Sequence, residues 1–432
     1  MCCRLLLVFA FAVSATAQPL RLSLADAVHR ALSAGTQAQL ARSAEERARI
    51  ARLQGLESMF PQADARLIQS NQSLNLQTFG LTIPGFPPVV PPFNTTDAQL
   101  TAATQLFNIA ALRMYRSLQQ GEQASVYATQ QAENDVAAAV ARLYVLAQRA
   151  STQVSSRQAD VDLFQRLLKV AQDEFTAGTG TRLDVAQATV QLDRAKQALL
   201  VAQNDYQNAI LALLNAIGED EGTPVTLSEP LAPAAAAPPV DAALRTAQTE
   251  RPELKAIAAR EKSAALALSA QRARRLPSIN LEFTGDYAGL RPSDLLWTRR
   301  IAAMASMPLF HADIEAAIAN AQAQYNEIHI QNQQQRRDIE QDVRRAVMNL
   351  ESANARVAVA TENARVAEEA LTVAEDRRQA GYGSPVEVDR AQDQYRQARE
   401  DLIAAQADAA AASYDVQHAT GDIRRMVAGV TP

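Results

Sequence analysis

The sequence predicts a mainly α-helical protein built from two tandem copies of one unit, with four β-strands per chain. Three observations lead to this fold class. The segment from Phe107 to Gly218 recurs without a gap from Phe310 to Gly421, at a constant offset of 203 positions. Each copy holds a run of about 70 residues with no Pro and at most one Gly, which is typical of one very long helix. Before each run lie two stretches in which apolar and polar residues alternate, as they do in β-strands.

The composition agrees with long helices that pack through small side chains. Hydrophobic residues make up 48% of the 432 residues, but aromatic residues only 5%. The formal net charge is −5, so the sequence gives no indication of nucleic-acid binding.

The first 17 residues have the pattern of a secretory signal peptide, with Arg4 before an apolar run and Ala15-Thr16-Ala17 as the cleavage site. Cys2 and Cys3 are the only cysteines and lie within this segment. The mature chain is therefore predicted to hold no disulfide, no thiolate chemistry and no cysteine metal ligand. No cysteine ends the apolar run, so a lipid anchor is not expected.

The elements of the first copy can be read in order. The predicted helices are Leu22–Leu32, Thr36–Glu57, 108–177 and Leu183–Ile217, and a strand pair is predicted over about 62–107. Within that pair, Ile83–Phe93 is predicted to be neither helix nor strand because it holds five prolines.

The second copy repeats this order. A linker is predicted over 219–240, then helices over Asp241–Glu250 and Glu253–Leu276, a strand pair over about 277–310, and helices over 311–379 and Val386–Thr420. The predicted domains are a signal peptide 1–17, a first repeat 18–218 with its helical hairpin at 108–218, the linker, a second repeat 241–421 with its hairpin at 311–421, and a tail 422–432. Pro277 matches Pro61 at an offset of 216, so the first copy has 13 more residues between its strands. Loops tolerate such insertions, whereas one extra residue in a helix would rotate everything after it by about 100°.

The long helices carry a seven-residue repeat. In the second copy the apolar positions are Val343, Leu350, Val357, Ala364 and Leu371, and three residues after each stands Ala346, Ala353, Ala360, Ala367 or Ala374. This pattern predicts a coiled-coil seam in which alanines let neighbouring helices approach closely. An ordinary antiparallel bundle would show the same periodicity.

One chain leaves this architecture incomplete. The smallest membrane barrels need about eight strands, so four strands cannot close one. Association would satisfy the open strand edges and the open helical seams together, and three copies would supply twelve strands and twelve helical columns.

The residues at the hairpin turns carry a resemblance to a known family. Each turn has Gly, then Thr or Ser three positions on, an acidic residue six on, and Val next. These residues are Gly178, Thr181, Asp184 and Val185 in the first turn, and Gly381, Ser384, Glu387 and Val388 in the second. With the tandem repeat and Pro308-Leu309-Phe310 before the second long helix, the chain resembles the TolC-type outer-membrane efflux proteins over essentially its whole mature length.

The resemblance implies a homotrimer in which the helical hairpins form an α-barrel across the periplasm and the strands form a 12-stranded β-barrel in the outer-membrane lipid. It implies a passive exit duct, with no catalytic site, cofactor or metal. Its partners would be a periplasmic adaptor protein and an inner-membrane pump of the RND or ABC type. The hairpin turns would form the periplasmic gate, where adaptors dock.

The gate residues transfer only in part. Glu387 occupies the position of an acidic residue that lines the aperture in the family, but Arg390 stands where a second acidic residue is common, with Asp389 beside it. Arg378 replaces a tyrosine that forms a latch to the first turn. The sequence therefore suggests an Arg378–Asp184 ion pair that holds the closed state. The alternative is that these charges are solvated turn residues.

The turn glycines Gly178, Gly180, Gly381 and Gly383 are predicted to supply the positive φ of tight turns.

Other functions can be compared with the same residues. The outer-membrane component of a type I protein secretion system has the same architecture, because the pump chooses the cargo. A periplasmic coiled-coil adaptor has one hairpin rather than two, and a structural coiled coil needs no strand pairs. An enzyme is disfavoured because His29, His311, His329 and His418 are scattered and form no metal-ligand pair at helical spacing. The cargo is not fixed by the sequence; drug export is favoured over metal or protein export only for its breadth.

Overall fold

The computed structural model describes residues 20–231, 234–380, 382–421 and 423–424. The predicted signal peptide, Gly381 and most of the predicted tail lie outside the described residues. The elements are β1 (Leu20–Leu22), α1 (Leu24–Ala34), α2 (Thr36–Glu57), β2 (Gln62–Asn75), a 3-10 turn (Leu76–Phe79), β3 (Val89–Phe107), α3 (Ile109–Thr176), α4 (Arg182–Ile217), β4 (Val225–Leu227), α5 (Val240–Glu250), α6 (Pro252–Ala273), β5 (Ser278–Gly289), β6 (Leu296–Ser306), α7 (Ala312–Gln379) and α8 (Pro385–Thr420).

The mainly helical, duplicated fold class is confirmed. The two long helices α3 and α7 have 68 residues each, and the return helices α4 and α8 have 36 each. Equal lengths in both copies are what a gap-free repeat requires. The division into two sequence repeats and a linker stays a prediction. The chain forms two compact units, and each unit combines matching parts of both copies.

The first unit comprises the described parts of residues 1–42, 129–252 and 337–432. Its main core joins α1, the middle of α3 and the end of α4, with Leu22, Val28, Tyr144, Leu213 and Ile217 among the fully buried side chains. The Tyr144 hydroxyl donates a 3.0 Å hydrogen bond to the Leu22 carbonyl. Burial raises the pKa of this phenol, so the tyrosine stays a neutral donor.

The predicted linker contains a strand that the sequence analysis missed. β4 pairs in parallel with β1, from Leu20 opposite Val225 to Leu22 opposite Leu227. Three-residue strands are too short to show an alternating pattern, which explains why periodicity did not reveal them. Ile423 also packs in the main core and is fully buried, so the start of the predicted tail is part of the folded unit.

The second unit comprises residues 43–128 and 253–336. It contains an antiparallel sheet in the order β2-β3-β5-β6, with most of α2, α6 and the first parts of α3 and α7. The central pair joins the two copies, because β3 of the first copy pairs with β5 of the second from Thr96 opposite Gly289 to Phe107 opposite Ile279.

The prediction that Ile83–Phe93 forms no ladder is wrong in its second half. β3 begins at Val89, and Val89, Val90 and Phe93 pair with β2. Pro91 and Pro92 lie between Val90 and Phe93, at the register shift between Leu74 and Gln72 on β2, where neither proline has a ladder partner. β5 pairs only from Thr96 onward, so this part of β3 is also a sheet edge within the chain, and prolines are tolerated at edges and bulges.

No helix within the described ranges combines the length and apolar character needed to cross a membrane.

Candidate functional site at the hairpin tips and the sheet

The first hairpin tip is a helix C-cap followed at once by a helix N-cap. The Gly178 N–H donates to the Phe175 carbonyl at 3.1 Å, and the Thr179 N–H donates to the Glu174 carbonyl at 3.0 Å. Gly178 has φ of 76°, and a Cβ added there would meet nothing within 4 Å. Glycine is needed at this position for its backbone conformation alone, as predicted.

The prediction for Gly180 and Gly383 is wrong, because neither has a positive φ. A Cβ on Gly180 would lie 3.0 Å from the Phe175 nitrogen, and one on Gly383 would lie 2.8 Å from the Arg378 nitrogen. These two glycines let the chain pass close to the end of the helix it has just left. The turn motif therefore holds glycines for two different reasons.

Thr181 and Asp184 form a capping box at the start of α4. The Asp184 N–H donates to the Thr181 hydroxyl oxygen at 3.2 Å, and the Thr181 N–H donates to an Asp184 carboxylate oxygen at 2.8 Å. These bonds satisfy backbone donors that the first turn leaves open. The hydrogen bonds from Thr181 lower the pKa of Asp184, and the nearby positive charge of Arg378 lowers it further.

The second tip has the same backbone path with a weaker cap. The Tyr382 and Gly383 N–H groups donate to the Arg377 carbonyl at 2.9 and 3.0 Å. The Ser384 hydroxyl accepts a 3.3 Å bond from the Val386 N–H. Val388 is buried, as the valine in the motif should be if it anchors the returning helix.

The predicted gate charges are all exposed around the two tips. Glu387, Asp389 and Arg390 lie in the first turns of α8, and Arg378 lies in the last turn of α7. Arg378 is near enough to Asp184 to affect its pKa, but the two make no direct ion pair in the part of the chain that the structure describes, and the Asp184 carboxylate is held by Thr181. The gating roles of these residues and of the tip glycines stay predictions.

The structure shows a charged contact between α3 and α8 that the sequence analysis did not single out. Arg157 bonds Glu400 at 2.6 Å, and the buried Asp160 lies between Arg157 at 3.6 Å and Arg399 at 3.7 Å. Arg399 also donates to the Ser156 hydroxyl.

The repeat itself holds a signal for this contact. Arg157, Asp160 and Glu400 have uncharged counterparts 203 positions away, and only Arg399 has a charged one. These counterparts are Ala360 and Asn363 in α7, and Gln197 and Lys196 in α4. Three of the four charges of this α3–α8 contact are therefore specific to one copy of the repeat.

The four-stranded sheet has two chemically different faces, which the registers assign. The apolar sheet face carries Leu67, Ala98, Leu100, Ala102, Leu281, Phe283, Tyr287, Trp297, Ile301 and Ala303, with Arg299 as its charged exception. On it, the Tyr287 and Trp297 rings lie 4.9 Å apart. The polar sheet face carries Asp64, Arg66, Asp97, Gln99, Glu282, Asp286 and Arg300. Gln99 donates to Asp286 at 2.9 Å and Arg300 to Glu282 at 3.1 Å.

The chain combines duplicated helical hairpins with an antiparallel sheet that is apolar on one face and charged on the other. These features together define its class: long helices with a sheet suited to contact lipid on one face. The sequence profile described as "Outer membrane efflux protein" matches residues 88–219 and 243–422. The chain belongs to this family of outer-membrane efflux channels, and such channels are not enzymes. A search of curated proteins found no match.

Solved outer-membrane proteins share the fold. The MtrE outer membrane channel of Neisseria gonorrhoeae is 21% identical, with 92% of this chain and 88% of that chain covered and a TM-score of 0.74. The CmeC outer membrane channel of Campylobacter jejuni is 17% identical, covering 92% and 85%, with a TM-score of 0.76. The outer membrane protein VceC of Vibrio cholerae is 17% identical, covering 92% and 96%, with a TM-score of 0.76.

Proposed function

We propose that the chain forms a homotrimeric channel in the outer membrane, which serves as the passive exit duct of a tripartite efflux system. The observation that supports this most directly is that each compact unit ends in unpaired edges. In the helical unit the edges are α4 of the first copy and α7 of the second. In the sheet the edges are β2 of the first copy and β6 of the second.

In the helical unit the packed order is α4, α3, α8, α7. Val161 and Phe164 of α3 pack on Leu192 and Ala195 of α4, and Val145 of α3 packs on Ala407 and Ala410 of α8. Arg356 of α7 and Asp408 of α8 lie 3.5 Å apart. The outer helices α4 and α7 are left with exposed apolar residues, namely Leu183, Val190, Leu200 and Val201 on α4 and Val359, Val366 and Val373 on α7.

The repeat indicates what covers these residues. Position 359 corresponds to Ser156, which accepts a hydrogen bond from Arg399 of α8 within the chain. By the same relation, α7 would meet the counterpart of α8, which is α4. Within one chain α4 and α7 stand at opposite edges, so the partner is α4 of a second copy. The exposed valines of α7 recur every seven residues, as a coiled-coil seam requires.

The sheet also has two open edges that strands of another copy could cover. β2 of the first copy and β6 of the second are its edge strands, and unpaired edges invite strands from another chain. An edge-to-edge contact between unlike surfaces is heterologous, and it forms a ring when the rotation between successive copies closes. Three copies would give twelve strands, which is within the range of membrane barrels.

The two sheet faces support an orientation in the membrane. The apolar sheet face would contact lipid and the polar sheet face would line the lumen. From Ile279 to Tyr287 the apolar face extends over about 26 Å of strand, at roughly 3.3 Å per residue. This is close to the apolar band of about 25 Å in membrane barrels, and Tyr287 and Trp297 stand at its end, where aromatic girdles occur.

The hairpin tips would then form the periplasmic entrance. We propose that adaptor proteins dock there and that an inner-membrane pump of the RND or ABC type supplies the cargo. We also propose that Glu387, with an ion pair that Arg378 would form with Asp184 in the closed trimer, restricts the aperture. Because exposed ion pairs contribute only about 0–1 kcal/mol each, the latch depends on its threefold repetition. Arg378→Ala is expected to raise the conductance of the isolated channel in a planar bilayer, and an unchanged conductance rules the latch out.

The assembly itself is tested by placing a charge in the proposed seam. Val366→Asp is expected to abolish the trimer in detergent and the pores in lipid bilayers. The matched control is Thr361→Asp, also exposed on α7 but on a different side of the helix, which should still assemble and conduct. A wild-type chain that is monomeric and forms no pores would refute the proposed function.

A further inference from the structure

The β2–β3 hairpin continues past the end of the four-stranded sheet. β5 ends at Gly289, opposite Thr96, whereas β2 and β3 remain paired as far as Asn75 opposite Val89. The segment beyond Thr96 is therefore a two-stranded ribbon within one chain. It lies at the end of the sheet remote from α2 and α3, because β2 follows α2 and β3 precedes α3.

Where it leaves the four-stranded sheet, the ribbon is polar on both faces, and Leu74, Val89, Val90 and Phe93 follow toward its tip. Asn71 donates to Asn94 at 2.8 Å on the side that continues the apolar sheet face, and the Ser70 and Thr95 hydroxyls lie 2.7 Å apart on the other side. The apolar band therefore stops near Leu67 and Tyr287. In the proposed orientation, the ribbon would carry its tip beyond the apolar band that contacts lipid.

The loop at the tip of the ribbon is apolar. In the loop of residues 76–88, Phe79 is 65% exposed, Leu81 52%, Ile83 48% and Phe86 66%. No charged residue occurs anywhere from Leu67 to Thr96. A set of four large exposed apolar side chains in so short a loop needs a partner surface, because soluble surfaces rarely keep such patches open.

The corresponding loop of the second copy is different. Between Gly289 and Leu296 it is short and carries Arg291 and Asp294. The extra length and the absence of charge thus belong to one copy of the repeat, and closing a barrel does not require them.

We propose that the 76–88 loop packs against the same loop of the other two copies and forms an apolar lid over the outer mouth of the channel. The proposal rests on the proposed trimer. When identical loops meet on a symmetry axis, any charge on the loop lies near the same charge of the other copies and is repelled by it. The 76–88 loop carries no charge, so this repulsion is absent. A twelve-stranded barrel at about 4.8 Å per strand has a radius of roughly 10 Å, which a loop of this length crosses with ease.

Cross-linking tests the contact directly. A single cysteine at Phe86→Cys can form a disulfide only with another copy, and the mature chain contributes no cysteine of its own. Under mild oxidation of trimers reconstituted in lipid vesicles, a covalent dimer is expected beside residual monomer. The control Ser293→Cys, in the exposed β5–β6 loop, should give no dimer. Dimers from both variants would indicate random collision between chains and would overturn the lid. If neither variant gives a dimer, the lid is overturned as well.

Conductance separates the lid from the channel itself. The combined variant Phe79→Ser, Leu81→Ser, Ile83→Ser and Phe86→Ser should assemble as a trimer and conduct more current than wild type. A trimer with wild-type conductance and no Phe86→Cys cross-link overturns the lid but leaves the proposed channel standing. Absence of trimers and pores in wild type overturns the proposed function instead.

Discussion

At the scale of single residues, glycine is required at the hairpin tips for two different physical reasons. Gly178 is needed because its φ is 76°, whereas space around it is open. Gly180 is favoured because a Cβ there would lie only 3.0 Å from the Phe175 nitrogen, so the backbone would have to shift to admit it.

This difference gives opposite expectations for one substitution. Gly178→Asn should be tolerated with a loss of unfolding free energy below about 1 kcal/mol, because Asn adopts the left-handed conformation. Gly180→Asn should cost more, about 1–3 kcal/mol, because the backbone must move to admit the side chain. Denaturant unfolding of the two variants measures the contrast, and equal losses would contradict it.

The capping box at Thr181 should also be measurable. Thr181→Ala is expected to destabilise the start of α4 by about 1 kcal/mol, because the Asp184 N–H loses its acceptor. Hydrogen exchange of the amides at the tip reports this loss. Thr189→Ala is the control, since that hydroxyl bonds only the Val185 carbonyl inside α4; equal effects from both variants would argue against a special role for the cap.

The same box should respond to acid. The pKa of Asp184 is lowered in the folded chain, so its contribution to stability is complete above the usual aspartate pKa of about 3.9 and is lost as the pH falls through the lower folded value. Exchange at the tip should accelerate in this acidic range. Asp184→Asn should remove that pH dependence, and an identical profile in the variant would show that another group titrates.

At the scale of elements, two kinds of contact stabilise the long helices. Small buried side chains pack along α7, and a cluster of charged side chains lies between α3 and α8. Four positions of the predicted heptad of α7 are buried within the chain: Val343, Leu350, Ala353 and Ala360 are each at most 9% exposed. Alanine at these positions allows close approach, so the seam depends on helix proximity rather than on large side chains.

The α3–α8 seam adds a charge cluster that should matter more than surface pairs. In Asp160→Ala, Arg157 and Arg399 lose the buried carboxylate that lies between them, and the expected loss is about 2 kcal/mol of unfolding free energy. Glu362→Ala breaks an exposed pair with Arg365 and should lower the unfolding free energy far less, because water screens exposed ion pairs. If both variants lose the same small amount, the cluster contributes no more than solvated charges do.

At the scale of the whole molecule, the two copies keep the same helix lengths while their sheet loops differ. Deleting Ala367 from α7 should rotate the following residues by about 100° and displace Val373 from the proposed seam. Loss of the trimer on native electrophoresis is the expected result. Deleting one residue from the 76–88 loop, for example Pro87, should leave assembly intact, and a trimer that survives the helix deletion would contradict this account.

The sequence by itself determined the duplication, the long helices and the positions of the turns, because these depend on local periodicity and on proline and glycine. Thr36–Glu57 was predicted with its observed bounds, and α3 and α7 to within one residue. The resemblance carried by the turn motifs led to the family, and it placed the candidate site at the tips.

Tertiary structure alone decided what depends on contacts between distant segments. β1 and β4 exist only because they pair with each other, and Pro91 and Pro92 are accommodated in β3 because they meet a register shift at an open edge. The distinction between Gly178 and Gly180, and the pairing of Arg157 with Glu400, likewise follow from which backbone and which charge lie opposite. Local pattern encodes the conformation of a segment, but not the neighbour it meets in space.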